Sequence, residues 1–454
     1  MQYDLTSILH LVLCLTFLVY IGCRMRRHGG VTLFHAGCFA YCALGLTFYP
    51  LVATDPWTIV NEQTVWRGFM MALIFISLCT CADLLFYWRK YRPLTMQYLP
   101  RQPSLLLLGG VYLFGLIGFL RFYFVAGGVR YIGEVFTAVR QGEEYYDVRG
   151  RIADELMRVP GNGVAWGTSA VYLIMPVLVA LGFFVYRQTH NKAYLALAVL
   201  SIVQALLTVL VFMERGPMLF AITFPIVAWL TAGYRRKAKR KAASRKKLLG
   251  IGIGGGAFVA LATIVYSWTN VGENPLWSLF NRIFVAPCIT ANYYLATFPD
   301  VFGFRGWSKI FQMGATLGGA EVGTRDIYSY LTIGRFFSNP NSGILPTAYS
   351  GAGLWGCAAM TVIFLAIVTT TDRAFRRMPA EYLFIYILIN LYGIAALVNA
   401  PIVAALSSGF ALPSFIFLAY LALCRRRGLA GEGAADGQPA PTDESTLALT
   451  LARK

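Results

Sequence analysis

The chain alternates between long apolar runs and short polar connectors. Each run holds about 20 residues with few charges, which is enough for a helix to cross about 30 Å of hydrocarbon. The pattern predicts eleven membrane-spanning helices, at roughly 7–23, 31–53, 65–88, 104–126, 166–186, 193–213, 217–233, 248–266, 351–371, 380–398 and 404–424. The predicted fold class is an all-α polytopic membrane protein, with a single transmembrane domain over 1–427.

The charges predict how this domain is oriented. One set of alternate connectors holds 24 Arg and Lys residues, whereas the other set holds 10. Because positive residues are enriched on the cytoplasmic side, the N-terminus is predicted to lie outside and the C-terminus in the cytoplasm, as an odd number of spans requires. The net charge of +18 is explained by these connectors, so no nucleic-acid partner is expected.

Three longer polar segments lie outside the predicted spans. Segment 127–165 is a predicted outward loop, and apolar residues at helical spacing near its start predict an amphipathic helix on the outer leaflet. Segment 267–350 is the large predicted outer loop, and its aromatic residues beside Asn, Asp and Arg suit either a carbohydrate site or an interfacial belt. Segment 428–454, rich in Gly, Ala and Pro, is predicted to be a disordered cytoplasmic tail.

Potential metal ligands are poorly placed for a metal site. Of the nine cysteines, all but Cys288 fall within predicted spans, where they are interpreted as small apolar core residues. The outward segments offer no cluster of His, Cys and carboxylates with metal-ligand spacing. Neither a metal nor a cofactor is therefore predicted.

Several arginines lie close to the predicted outer face. The turn Glu214-Arg215-Gly216-Pro217 leaves almost no loop between two spans, and it places Arg215 beside a helix N-terminus, where an anion is favoured. The alternative is a simple ion pair with Glu214. Arg121 lies near the outer end of its span. Arg67 lies near the outer face too, where it can either extend to lipid headgroups or serve a function.

A resemblance to a known family rests on three short motifs. They are the Glu214-Arg215-Gly216 turn followed by an apolar helix, Asn281-Arg282 at the start of the large outer loop, and Asn341-x-Gly343-x-x-Pro346-Thr347 leading into Gly351-x-Gly353-x-x-Gly356. With these motifs and its overall plan, the chain resembles the Wzy-type polymerases of O-antigen and exopolysaccharide assembly. The resemblance implies a bacterial inner-membrane enzyme with a periplasmic active site. It also implies undecaprenyl-pyrophosphate-linked oligosaccharide as the substrate and a chain-length-regulating co-polymerase as a partner.

The chemistry of that reaction selects the candidate site residues. A departing lipid pyrophosphate needs its developing negative charge stabilised, and arginines can do this. The predicted catalytic residues are Arg215, Arg282 and Arg335 for the pyrophosphate, with Glu214 and Asp326 among the carboxylates that could accept a proton. The predicted substrate-binding residues are Arg121, Arg140, Arg325, Tyr328 and Asn341. Because the sequence shows no obvious nucleophile, a single displacement with inversion is predicted.

Three other functions stay open as alternatives. O-antigen ligases resemble this architecture but use a His in the large outer loop, whereas His10, His28, His35 and His190 all lie outside the outward loops. A lipid-linked sugar glycosyltransferase of the common membrane class is expected to pair acids in its first outer loop, where Asp55 and Glu62 are separated. A flippase or transporter would favour ionisable residues deep in the spans and an internal repeat, neither of which the sequence indicates.

Overall fold

Helices dominate the part of the chain that the computed structural model describes. That part comprises residues 5–27, 32–54, 60–87, 104–125, 127–141, 174–212, 275–301, 303–311, 315–317, 320–322, 343–375, 397–398 and 402. Its α-helices are α1 (Leu5–Arg27), α2 (Leu33–Gly45), α3 (Glu62–Phe86), α4 (Leu105–Leu120), α5 (Gly128–Gln141), α6 (Met175–Thr189), α7 (Lys192–Phe212), α8 (Pro275–Phe280), α9 (Ala286–Thr297) and α10 (Ile344–Phe375).

Five of the described segments are long and apolar enough to cross a membrane, so the protein is membrane-embedded. They are Leu5–Arg26, Leu33–Val52, Glu62–Phe86, Leu105–Val125 and Ile344–Arg373. The first four coincide with the first four predicted spans. Helix α6 overlaps the second half of the predicted span 166–186, and α7 matches the predicted span 193–213. The predicted spans at 217–233, 248–266 and 404–424, and nearly all of 380–398, lie outside the described residues. The total of eleven spans and their orientation stay predictions.

The core forms where α1, α2, α3 and α10 pack together with α9. Phe34, Tyr41, Phe75 and Phe364 from these helices are among the largest fully buried side chains. The rings of Tyr41 and Phe75 lie 4.9 Å apart, which suits the tilted contacts that aromatic pairs prefer. Apolar side chains facing away from this core stay exposed, as expected for a bundle surrounded by lipid.

Helices α6 and α7 form an antiparallel hairpin. The turn between them places His190 in the left-handed region, with φ of 55°. Gly182 on α6 lies so close to α7 that an added Cβ would stand 2.8 Å from the Ala198 side chain and 2.9 Å from the Tyr194 carbonyl oxygen. The small residue is therefore what lets the two helices approach.

The described part of the predicted outer loop 267–350 is largely structured. Helices α8 and α9 are joined by a five-residue π-helical turn, Asn281–Val285. On and just after α9, Cys288, Leu295 and Phe298 are fully buried, so this stretch packs into the bundle core. Two three-residue strands, β1 (Ala315–Leu317) and β2 (Ala320–Val322), pair antiparallel. They are the exception to an all-α fold among the described residues.

Helix α10 is broken into two limbs that double back on each other. Ala352 and Gly353 leave helical geometry, and Gly353 adopts φ of 61°. The Cys357 thiol lies 3.5 Å from the Leu345 carbonyl oxygen, although twelve residues of straight helix would separate them by about 18 Å. Limb 344–351 therefore runs antiparallel to limb 354–375. The second limb alone is about 30 Å long, so it can cross a membrane without the first.

The glycine motif of α10 supplies the space for this hairpin. A Cβ at Gly356 would overlap the carbonyl oxygen of Ala348 on the opposite limb. A Cβ at Gly351 would stand 2.6 Å from the Ile310 side chain. Small residues therefore allow close packing here, which is packing of the second limb of α10 against the first.

Candidate functional site

Polar side chains gather at two places on α3, near its first and last turns. We call them the Arg67 cluster (Tyr49, Arg67, Asn292, Asp300, Arg305 and Ser350) and the Asp83 cluster (Tyr20, Arg24, His35, Asp83, Tyr87 and Asp372). Arg67 and Asp83 are sixteen residues apart, so about 24 Å of helix separates the clusters. Each cluster joins helices that are distant in sequence.

Arg67 binds the end of α9 and the turn that follows it. Its Nη1 donates to the carbonyl oxygens of Leu295 at 2.8 Å and Phe298 at 3.2 Å. The same atom lies 2.8 Å from Asp300 Oδ2, and Nη2 lies 3.1 Å from Asp300 Oδ1. Carbonyls in the last turn of a helix lack intrahelical donors, and a cation there is favourable. The Arg67 guanidinium also holds the pKa of Asp300 below its ordinary value.

A second contact joins the start of α3 to α9. The Tyr49 hydroxyl donates to the Thr64 carbonyl oxygen at 3.0 Å and accepts from Asn292 Nδ2 at 3.2 Å. Thr64 also belongs to the capping box that begins α3, in which Asn61 Oδ1 accepts from the Thr64 amide at 2.8 Å. Asn292 is buried, and its Oδ1 meets no donor among the described residues. The Arg67 cluster therefore holds α9 against α3 at two points.

The loop after α9 contacts the tip of the α10 hairpin. The backbone amides of Arg305 and Gly306 donate to the carbonyl oxygens of Ser350 and Gly351, at 3.0 and 2.8 Å. Arg305 Nη1 lies 3.3 Å from the Ser350 hydroxyl. The Phe304 ring lies against Gly353, where an added Cβ would stand 2.9 Å from it. The tip is thus covered by a loop whose other end is bound by Arg67.

The Asp83 cluster is a buried network of charged and polar groups. Asp83 Oδ2 accepts from Arg24 Nε and from the Tyr20 hydroxyl, both at 2.6 Å. Asp83 Oδ1 lies 2.8 Å from His35 Nε2. The Asp83 side chain is 0% exposed and that of Arg24 is 8% exposed. Because these groups come from α1, α2 and α3, the network ties three helices together.

Asp372 extends this network to α10. Its carboxylate accepts from the amides of Leu33 and Phe34, at 2.8 and 3.1 Å, and from the Tyr87 hydroxyl at 2.8 Å. The first amides of a helix have no intrahelical acceptor, so a carboxylate at the start of α2 satisfies them and complements the helix dipole. Four helices therefore meet at the Asp83 cluster. The sequence analysis overlooks it, although a lone Asp within an apolar run is the signal that could have found it.

Most of the predicted site residues lie outside the described part of the chain. These are Glu214, Arg215, Arg325, Asp326, Tyr328, Arg335 and Asn341. The remaining three lie on separate elements. Arg121 is exposed and begins a π-helical turn, Arg121–Val125, at the end of α4. Arg282 is the second residue of the π-helical turn that leads into α9. Arg140 lies on α5, near its C-terminal end.

Arg67 is the residue for which the structure decides between the sequence alternatives. Its side chain is 11% exposed, and it binds two carbonyls and a carboxylate of the protein. Extension to lipid headgroups is thereby excluded. Asn292, Asp300 and Ser350, which the sequence analysis does not select, are brought to the same end of the bundle.

No metal site is found in the described ranges, where no group of three or more His, Cys, Asp and Glu residues could hold an ion. The described cysteines are all free, and most are buried within the helices. In comparisons with known proteins, no family model, no curated protein and no solved structure matches the chain.

Proposed function

We propose that the chain is a membrane glycosyltransferase that polymerises lipid-linked oligosaccharide repeat units. It transfers the growing glycan from undecaprenyl pyrophosphate to the non-reducing end of the next lipid-linked unit, at the periplasmic face of the bacterial inner membrane. Its membrane-embedded helical fold provides the setting that such a lipid-linked substrate requires.

One observation carries this proposal. Two of the three motifs on which the resemblance rests are about 60 residues apart in sequence, yet they lie on elements that pack together. Arg282 lies on the turn that leads into α9, and Gly343 to Gly356 form the start and tip of the α10 hairpin. Helix α9 packs against α10, and the loop after α9 covers the hairpin tip. Motif residues that share one end of a bundle are what a common site would need.

The chemical roles follow from the leaving group. Arg215, Arg282 and Arg335 stabilise the charge that develops on the pyrophosphate, since a guanidinium donates to two oxygens at once. Glu214 or Asp326 accepts the proton of the attacking hydroxyl. Arg121, Arg140, Arg325, Tyr328 and Asn341 contact the lipid-linked substrate. The backbone of Arg121 and of Arg282 forms π-helical turns, which occur frequently at functional sites.

A flippase or transporter is the second candidate, because two observations favour it. Broken helices and ionisable residues buried within spans are common in transporters. Here α10 is a broken helix, and Asp83 is a buried ionisable residue on α3. However, Arg24, His35, Asp83 and Asp372 all lie within about two turns of a helix end, not at mid-span. Arg24 and His35 also bond to Asp83, and Arg24 and Asp372 both bond to Tyr87, as groups of a structural tie would do. We therefore rank this candidate below the polymerase.

Deletion of the gene in its native host, followed by complementation, tests the proposal. Surface and lipid-linked glycans are resolved by size on a gel. The polymerase predicts that the ladder collapses to a single repeat unit on its final acceptor, and that wild-type chain restores it. Arg215→Ala and Arg282→Ala should not restore it, whereas Arg130→Ala, which changes an exposed arginine of α5, should.

Other outcomes of the same experiment would contradict the polymerase. If no repeat unit reaches its acceptor and lipid-linked material accumulates, the chain acts in flipping or ligation. If the ladder is unchanged by the deletion, the chain acts on no glycan of that host. If Arg215→Ala and Arg282→Ala restore full polymer length and yield, the assignment of these arginines is wrong.

A further inference from the structure

Arg67 stands out because Nη1 of its guanidinium is fully committed to the protein. Nη1 carries two protons, yet the carbonyl oxygens of Leu295 and Phe298 and the carboxylate of Asp300 all lie within 3.2 Å of it. Nη2 binds the second oxygen of the same carboxylate. A pyrophosphate would have to displace these acceptors before it could bind Nη1 or bind both Nη atoms as a fork. Arg67 is thus poorly suited to contact a substrate directly.

The three groups that Arg67 binds belong to one short stretch. Leu295 is in the last turn of α9, and Phe298 and Asp300 follow in the turn after it. One side chain from α3 is therefore bonded both to the last turn of α9 and to the turn that follows it. The Tyr49 hydroxyl, bound to Asn292 and to the backbone of α3, reinforces this position.

Five residues after Asp300, the chain is bound a second time. The amides of Arg305 and Gly306 donate to the tip of the α10 hairpin. The segment from Asp300 to Gly306 is short, so its path depends on its two attachments, to Arg67 at one end and to the α10 tip at the other. Loss of the Arg67 attachment would leave the loop bound to the hairpin tip at one end only, and it would remove one of the two polar contacts that hold α9 against α3.

We infer that Arg67 is a positioning residue of the proposed transferase. It fixes α9 and the loop 298–311 relative to the α10 hairpin, and through α9 it sets the place of Arg282. This role rests on the proposed function. Arg67 acts through these elements and does not touch the substrate, so its loss should slow turnover without weakening substrate binding.

Two measurements on purified full-length protein test the inference together. The first is the rate of tryptic cleavage after Arg305 and Lys309 in detergent micelles, followed by mass spectrometry. This cleavage requires the loop to leave the hairpin tip, and it does not depend on any enzymatic activity. The second is turnover of lipid-linked oligosaccharide in proteoliposomes, with kcat and KM determined separately.

The variants are Arg67→Ala, Arg67→Lys and Asp300→Asn, with Arg130→Ala as the control. Arg130 forms an exposed ion pair with Glu134 within α5, so its removal should change neither measurement. Arg67→Ala should raise the cleavage rate several-fold and lower kcat by up to about a hundredfold, as small displacements of reacting groups can do, with KM nearly unchanged. Arg67→Lys should restore part of kcat, since an ammonium group replaces the charge but not the two-pronged geometry.

Asp300→Asn keeps the inference testable if Arg67→Ala does not fold, because the Asp300 side chain is 47% exposed and its loss should be tolerated. It should raise cleavage and lower kcat less than Arg67→Ala does. Unchanged cleavage in both variants would overturn the inference, as would raised cleavage with normal kcat, or an effect confined to KM. A wild-type protein that forms no polymer would refute the proposed function itself. The cleavage rates would then still test the contact: raised cleavage in Arg67→Ala would show that Arg67 holds the loop, and unchanged cleavage would show that it does not.

Discussion

Removal of the Asp83 carboxylate should strongly destabilise the helix bundle. In Asp83→Ala the Arg24 guanidinium stays mostly buried and loses its carboxylate partner at 2.6 Å, and the Tyr20 hydroxyl and His35 ring lose an acceptor. Breaking a buried ion pair by removing one partner costs about 3–5 kcal/mol. Because Arg24 lies within a turn of the end of α1, it can turn partly towards water. We therefore expect a loss near the lower end, about 3 kcal/mol.

Buried cysteines provide the assay. Cys79 lies one turn before Asp83 on α3 and is fully buried, whereas Cys81 on the same helix is exposed. A small maleimide reacts with Cys79 only when the bundle opens, so its rate follows the population of open protein. A loss of about 3 kcal/mol should accelerate labelling of Cys79 about a hundredfold. Labelling of Cys81 should not change, and it serves as the internal reference.

Glu62→Gln is the matched control, since Glu62 is an exposed acid in the first turn of the same helix. Its contribution through the helix dipole is at most about 1 kcal/mol, so labelling of Cys79 should accelerate only a few-fold. Equal rates for Asp83→Ala and Glu62→Gln would refute the reasoning. Asp83 would then not hold the helices together.

Three further predictions follow from the described contacts. Gly356→Ala should separate the limbs of α10, because the new Cβ overlaps the Ala348 carbonyl oxygen; a cost of at least about 1–3 kcal/mol should appear as a lower unfolding temperature. Because Arg67 lowers the pKa of Asp300, their pair stabilises the loop above the ordinary Asp pKa of 3.8 and is lost as pH falls through the lowered pKa. Hydrogen exchange of the loop amides should therefore show constant protection from about pH 7 to about pH 5, corrected for intrinsic rates, and lose it only below the ordinary value. Arg130→Ala should change stability by less than about 0.5 kcal/mol in thermal unfolding.

Much of the span pattern could be predicted because its energetics are local. A helix such as α3 is stabilised in a membrane by the summed transfer of about 20 apolar side chains, so the sequence alone locates it to within a few residues. The predicted span 65–88 and the observed Glu62–Phe86 illustrate this. The observed helix begins at Glu62 because Asn61 caps it, and a hydropathy pattern cannot detect such a cap.

Elements that depend on distant partners could not be predicted in the same way. The apolar helix from Ile283 to Thr297 is too short to span a membrane, and only its neighbours determine that it is buried. The predicted span 351–371 begins close to the break at Ala352 and Gly353, but hydropathy gives no sign that residues 344–351 form a helix that packs back on this span. The reversal depends on contacts with Phe304 and Ile310, which lie more than 40 residues earlier.

The sequence indicates which residue types a pyrophosphate site needs, but it does not show which individual residues the fold brings together. Arginine is the expected residue for pyrophosphate, and this reasoning selects Arg215, Arg282 and Arg335, an assignment that stays a prediction. It could not foresee that Arg67 would bind the end of α9, because Asp300 is 233 residues away along the chain. Likewise, no local pattern indicates that Arg24, Asp83 and Asp372 converge, since each lies on a different helix.

The most direct test of the proposed function uses purified protein in proteoliposomes that contain undecaprenyl-pyrophosphate-linked oligosaccharide on the side accessible to the site. The account predicts a ladder of glycans that grows by whole repeat units, with one undecaprenyl pyrophosphate released for each unit joined and with inversion at the transferred anomeric carbon. It also predicts that Arg282→Ala abolishes the ladder and that Arg130→Ala does not. Transfer of intact lipid-linked oligosaccharide across the bilayer without any ladder would contradict the polymerase and support the flippase.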